Sequence, residues 1–393
     1  MELRNWAEPK LALPDDGYRG ALAARLWRPA IGPSVVAVRE DGLRDISAAY
    51  PTMAALAAES DPAAALRAAT GERACSLEDA LRNTPPETRD PGKPHLLAPI
   101  DLQVVKAAGV TFATSMLERV IEERARGNPD AAATIREEVR RIIGDDLSKL
   151  QPGSPAAMSL KQVLVDQGAW SQYLEVGIGP DAEVFTKVPV LASTGTLTDA
   201  GLDPKSTWNN PEPEVVLVVA PDGRITGATL GNDVNLRDVE GRSALLLSKA
   251  KDNTASCAIG PFLRFFDRTF SLDDVRGTTV SLTVRGEDGF LMEGTSSILQ
   301  ISRDPEDLVR QTIGPNHQYP DGFVLFLGTM FAPTQDRGEP GLGFTHHPGD
   351  VVEIAAPGLG RLVNRMRHTH DCEPWTFGIS ALMSNLAKRG LIR

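Results

Sequence analysis

The sequence predicts an α+β fold: a mixed, mostly antiparallel β-roll or sandwich with a helical insertion and a smaller N-terminal domain. Three observations predict it. Beyond Trp170 the chain breaks into short β-rich runs bounded by Gly, Pro, Asn and Asp, among them EVFTKVPVL, EVVLVVAPDGRITGATLG and DVVEIAAPGLG. These runs do not alternate regularly with long helices, which disfavours a doubly wound parallel sheet. Before them, Leu117, Val120 and Ile121 have the i, i+3, i+4 spacing of a helix with one buried face.

Taken in order, residues 1–97 carry short apolar runs such as Val35 to Val38 and an Ala-rich stretch from Met53 to Ala69. They end in NTPPETRDPGKPH, whose prolines mark a boundary between a small N-terminal domain and a main domain over 98–393. From Leu96 the chain is strand-like, loops at Gly109 and turns helical over an insertion at 113–165. A second helical face is expected from Ile135, Val139 and Ile142, ending before the Pro152-Gly153 turn. Mixed charge along the insertion reads as a solvated helical lid. In the β-rich half, Pro221-Asp222-Gly223 between two apolar runs is a strong hairpin signal.

Composition narrows the function classes. The 393 residues include 41 Lys+Arg against 52 Asp+Glu, a net charge of −11, which argues against a nucleic-acid partner. At 41% hydrophobic and 24% charged the chain reads as folded and soluble rather than disordered. Cys75, Cys257 and Cys372 form no CxxC pair, so neither a disulfide framework nor a zinc ribbon is indicated. The opening MELRNWAEPK is acidic and proline-bearing where a signal peptide needs a cationic start and an apolar core. No run of about 18 apolar residues marks a membrane span. The expectation is a cytoplasmic protein with no membrane partner.

The candidate chemistry begins at Trp208-Asn209-Asn210-Pro211-Glu212-Pro213-Glu214. On an extended segment, residues i and i+2 share a face, so Glu212 and Glu214 aim two carboxylates together. Alone, a charged strand edge is the simpler reading. If Pro221-Asp222-Gly223 closes the hairpin, however, Asp233 in GNDVNLRD comes level with the two glutamates. Three oxygen ligands with further octahedral positions open suit Mg²⁺, with Mn²⁺ as a substitute, better than zinc or copper. Lys251, in SKAKDN, has its ammonium form disfavoured near such an ion and can then serve as acid or base; without that context an exposed lysine is the simpler reading. The HTHDC run at 368–372 has no matching second cluster for zinc, and Cys257 in its apolar run reads as core. GxSxG and GxGxxG motifs are absent from the sequence.

In Glu183-Val184-Phe185-Thr186-Lys187, the Glu212/Glu214 pair, GNDVNLRD, AKDNTASCAIGP and DGFVLFLGT ending at Thr329, the sequence resembles the fumarylacetoacetate hydrolase superfamily. The resemblance runs from about residue 100 to the C-terminus and implies that family's β-roll. It is closer to the bacterial 2-keto-3-deoxy sugar acid dehydratases, of the 2-keto-3-deoxy-D-xylonate type, in the WNNPEPEVVL run, the insertion and the segment from Val239 to Lys251. It implies that Glu212, Glu214 and Asp233 bind Mg²⁺ and that Lys251 and Glu183 exchange protons with the substrate. Arg237, Thr329, Lys187, Thr111 and Ser115 would bind that substrate, a small 2-keto acid. The implied product is 2,5-dioxopentanoate, and the implied assembly a homodimer or homotetramer. The superfamily's carbon–carbon hydrolases are expected to carry a histidine soon after the loop at Gly109 to Phe112. Here no histidine lies between His95 and His317, which demotes the alternative of an acylpyruvate-type hydrolase or decarboxylase.

Overall fold

A computed structural model describes residues 1–126, 128, 135, 150–166, 168, 170–329, 331, 333, 335–337 and 343–392, without the side chains of 113–115 and 117. Val139 and Ile142 of the expected second helical face, and the side chain of Ser115, lie outside the described residues.

The fold is mixed α+β. Its larger sheet joins β1 (Ala21–Arg28), β2 (Gly32–Arg39), β3 (Gly42–Asp45), β4 (Glu72–Cys75), β5 (His95–Leu97), β6 (Val104–Gly109) and β7 (Glu183–Val188) to four strands from the chain's second half. A five-stranded sheet contains β8 (Thr198–Leu202), and β9 (Asn209–Asn210) belongs to a short two-stranded ladder. The second-half members of the larger sheet are β10 (Pro213–Val219), β11 (Ile225–Asp233), β13 (Cys257–Phe265) and β16 (Phe323–Phe326), while β12 (Asn235–Leu236) pairs with β9. The five-stranded sheet is completed by β14 (Thr279–Arg285), β15 (Leu291–Ser297), β17 (Val351–Ala356) and β18 (Gly360–His368). Among the described residues every strand pairing is antiparallel except β16 with β6 and β18 with β8.

Side-chain alternation explains the layers. Val215, Leu217 and Val219 of β10 point into one core with Leu282 of β14, Ile354 of β17 and Leu362 of β18, so the two sheets pack face to face. Val216 and Val218 point the other way, onto Met53 and Leu56 of the helix Met53–Ala57 and Leu66 of the helix Pro62–Ala68. A strand covered on both faces needs an unbroken apolar run, and EVVLVVA supplies one.

The proline-rich segment near residue 97 does not interrupt the sheet. β1 pairs antiparallel with β13, Ala21 opposite Phe265, so the first hundred residues extend the same sheet that carries the candidate site. β10 and β11 form the expected hairpin, with Glu214 opposite Gly231, and the Asp233 N–H donates to the Glu212 carbonyl at 3.0 Å. That register brings the third carboxylate level with the other two.

The first helix of the insertion, Ala113–Arg124, is not a solvated lid. Its Met116, Val120 and Ile121 pack with Tyr173, Leu174 and Ile178 of the helix Gln172–Ile178, and Glu118, Arg119 and Glu122 are buried as well. The charges face inward because buried partners await them.

Candidate active site

Glu212 and Glu214 stand at the start of β10 and Asp233 at the end of β11, all three buried. One oxygen from each lies within 4.8 Å of the others, the one group among the described residues that could hold a metal ion through three such ligands. Burial, then the neighbouring Asp233 and Glu212, push the Glu214 carboxyl well above its usual range. Three acids so packed ask for a cation, and an all-oxygen donor set fits a hard divalent ion such as Mg²⁺. The Gly328 N–H donates to Glu214 at 2.7 Å, from a backbone with φ of +97°, where a side chain is disfavoured.

Two lysines close on the triad. Lys251 ends the short helix Leu247–Lys251, and its Nζ donates to Glu212 at 2.5 Å and to Asp233 at 3.0 Å. Burial alone would disfavour its ammonium, but Asp233, Glu212 and Glu240 outweigh it and raise the pKa above the usual lysine value. Without a cation at the triad these partners favour the ammonium form. Lys187, on β7, is fully buried; its Nζ meets Asp233 at 2.7 Å and the Val234 carbonyl at 3.0 Å, and donates to the Lys251 carbonyl. These three contacts match an ammonium's three donors, which makes Lys187 a support for Asp233 and Lys251 rather than a group free to meet a ligand. On Asp233, burial opposes ionisation, yet Lys187 and Lys251 hold the carboxyl below its ordinary range.

Glu183 opens β7 opposite Gly109 of β6. A Cβ on Gly109 would come within 1.9 Å of the Glu183 carboxylate, so the glycine makes room for it. Burial, and then Glu240, push this carboxyl up to about 7 against the opposing pull of Arg119 and Lys251.

The remaining expected residues surround this centre. The Thr111 hydroxyl donates to the Leu327 carbonyl at 2.5 Å, beside Gly328. The Thr329 hydroxyl donates to the Phe331 carbonyl at 3.0 Å. Arg237 does not reach the triad: it pairs with Glu122 at 2.6 Å and Glu118 at 3.4 Å, and its guanidinium lies 4.5 Å from the Trp208 ring centroid. The residue that sequence reasoning missed is Arg119. It bonds Glu212 directly, meets Glu122 at 2.7 Å and Glu240 at 3.0 Å, and links the insertion helix to the triad. Its position one residue before the apolar Val120, on the helix that also carries Glu118 and Glu122, was the available signal.

Residues 219–367, a stretch that takes in Asp233 and Lys251, match the family model described as "Fumarylacetoacetate (FAA) hydrolase C-terminal". Over that stretch the chain is similar to the fumarylacetoacetate hydrolase C-terminal family. Two relatives match about half of the chain each. One is the 2-dehydro-3-deoxy-D-arabinonate dehydratase of Saccharolobus solfataricus, 29% identical over 188 residues, which are 47% of this chain and 58% of that protein. The other is the "Probable 2-keto-3-deoxyxylonate dehydratase" of Haloferax volcanii, 29% identical over 192 residues, 49% of this chain and 62% of that protein. The chain thus spans about three-fifths of the length of each relative.

Among solved structures, "2-keto-3-deoxy-D-arabinonate dehydratase complexed with magnesium and 2,5-dioxopentanoate" is similar with a TM-score of 0.62 at 19% identity, covering 88% of this chain and 99% of that one. At that identity the likeness is one of fold. The fold here is therefore similar to that of a magnesium-bound dehydratase.

Proposed function

We propose that this chain catalyses the Mg²⁺-dependent dehydration of a 2-keto-3-deoxy-pentonate, 2-keto-3-deoxy-D-xylonate first among them, to 2,5-dioxopentanoate. The observation that carries the reading is the buried Glu212/Glu214/Asp233 triad flanked by Lys251 and Glu183. The names of the two relatives and the product in the magnesium-bound neighbour support the reaction class.

Glu212, Glu214 and Asp233 would hold Mg²⁺, with Mn²⁺ able to replace it. Such a cation, when bound, supplies Lewis-acid stabilisation of the charge that develops on a 2-keto acid as a C3 proton leaves. Glu183, near neutrality and given room by Gly109, accepts that proton. Lys251, whose contacts on the triad are all made as a donor, protonates the departing C4 hydroxyl, which leaves as water. Moving hydrogen from C5 to C3 then gives an enol: Glu183 returns its proton to C3, and Lys251 is recharged by the proton lost from C5. Tautomerisation, in which C4 gains a proton and the C5 hydroxyl loses one, turns this enol into the aldehyde. Lys187 keeps Asp233 and Lys251 in place, while Thr111 and Thr329 flank Gly328 where the substrate's polar groups would lie. Arg237 acts through the insertion helix.

The test is an aldehyde-coupled assay on 2-keto-3-deoxy-D-xylonate and its C4 epimer, with Mg²⁺ and with EDTA, using Glu214→Gln as the blank. Turnover that needs both metal and Glu214 is expected. Silence on both epimers together with pyruvate release from an acylpyruvate would replace the dehydratase with a hydrolase.

A further inference from the structure

Away from the carboxylate triad, a cavity of about 420 Å³ opens between the chain's first hundred residues and its C-terminal segment. That volume lies within the roughly 300–1,000 Å³ of small-molecule sites. One wall is aromatic: Trp27 stands edge-on to Phe377 at 5.5 Å between centroids, with the half-exposed Trp375 beside them. The lining also includes the hydroxyl-bearing residues Ser193, Thr194 and Thr254.

The charges of the lining are already matched within the protein. Arg25 faces Asp101 at 3.7 Å, Arg89 pairs with Glu373 at 2.7 Å, and Asp199 pairs with Arg365 at 2.8 Å. His95 adds no charge near neutrality, because burial and then Arg89 hold its imidazole down to about 4. Its ring lies nearly parallel to that of Trp27, 6.4 Å between centroids, and continues the aromatic wall. The hydroxyl-bearing lining is also held in an unfavourable backbone: Leu191 and Ala255 both line the cavity with φ of 65° and 58°. Left-handed non-glycine residues cluster where a binding surface requires them.

We propose that this cavity binds a neutral, flat aromatic heterocycle up to nucleoside size, stacked on the Trp27–Phe377–Trp375 wall and hydrogen-bonded to the hydroxyls of Ser193, Thr194 and Thr254. Charge selects against ions, since each charged lining residue has its own partner. Aromatic walls select for a ring. The site is separate from the triad, so it stands whether or not the dehydratase reading does.

The experiment is a calorimetric titration of the full chain in EDTA with adenosine, indole and adenosine monophosphate, repeated on Trp375→Ala and Phe377→Ala with circular dichroism to confirm folding. Saturable binding of adenosine or indole is expected, no tighter for the monophosphate, and weakened about tenfold by each variant. Absence of saturable binding by both neutral probes, tighter binding of the monophosphate, or unchanged affinity in the variants would overturn the proposal. If Phe377→Ala fails to fold, Trp375→Ala decides, because it removes a half-exposed ring.

Discussion

Glu183 and Lys251 sit beside the same carboxylates, yet their surroundings drive them apart. The Glu183 carboxyl keeps its proton up to about 7, whereas an unfolded glutamate releases it near 4.5. Between those values the native chain binds more protons than the unfolded one, so Glu183's contribution to stability falls as pH rises through that window. Glu183→Gln should flatten that slope, read as denaturation midpoints at pH 5 and pH 8. It should also cut turnover by about 10²–10⁴ and remove an ionisation near neutrality from the kcat/KM profile. An unchanged profile would take Glu183 out of the proton transfer. Lys251→Met removes the donor from Glu212 and Asp233 but none of the three carboxylates. Mg²⁺ binding should survive, while turnover falls by about the same 10²–10⁴. Calorimetry with Mg²⁺ alongside the coupled assay separates the two, and near-normal kcat would deny Lys251 its role.

At the scale of elements, the hairpin and the insertion helix were legible, but the inward-facing charges of that helix were not. Glu212 and Glu214 share a face because strands repeat every two residues, and Pro221-Asp222-Gly223 fixed the register that brings in Asp233; both are local rules. Arg119, Glu118 and Glu122 also lie on a helix that the apolar spacing marks, but inward-facing charges are invisible until their partners are known. Those partners, Glu212 and Glu240, are about a hundred residues away in sequence. Lys187 was found for a related reason and given the wrong company: its motif was readable, its three buried contacts were not. The insertion helix should therefore be held chiefly through Arg119, whose guanidinium meets three buried carboxylates. Arg119→Met should destabilise the chain by about 3–5 kcal/mol in EDTA, since it leaves buried charge unpaired. Urea denaturation measures this, and Mg²⁺ should restore part of the loss by neutralising Glu212. A loss below about 1 kcal/mol would mean that the helix is held by its apolar face alone.

Across the whole molecule, one sheet connects the first strands to the site: β1 lies on β13, β13 on β11, and β11 on β10, the last two carrying Asp233 and Glu214. The first of these pairings, between residues more than two hundred positions apart, leaves no local trace, and a proline-rich segment looks like a boundary even where the sheet continues past it. The continuity gives cation binding at the triad leverage on the stability of the entire chain. A ligand that binds only the native state adds RT ln(1 + [L]/Kd), about 2.7 kcal/mol at a hundredfold excess over Kd. Because Glu214 holds a proton well above its usual range, first through burial and then through Asp233 and Glu212, the cation must displace that proton. The Mg²⁺-induced rise in melting temperature should therefore be larger at pH 8 than at pH 5, and absent in Glu214→Gln at either pH. Thermal melts with Mg²⁺ and with EDTA at both values give the answer. An equal rise in wild type and Glu214→Gln would place the bound cation somewhere other than the triad.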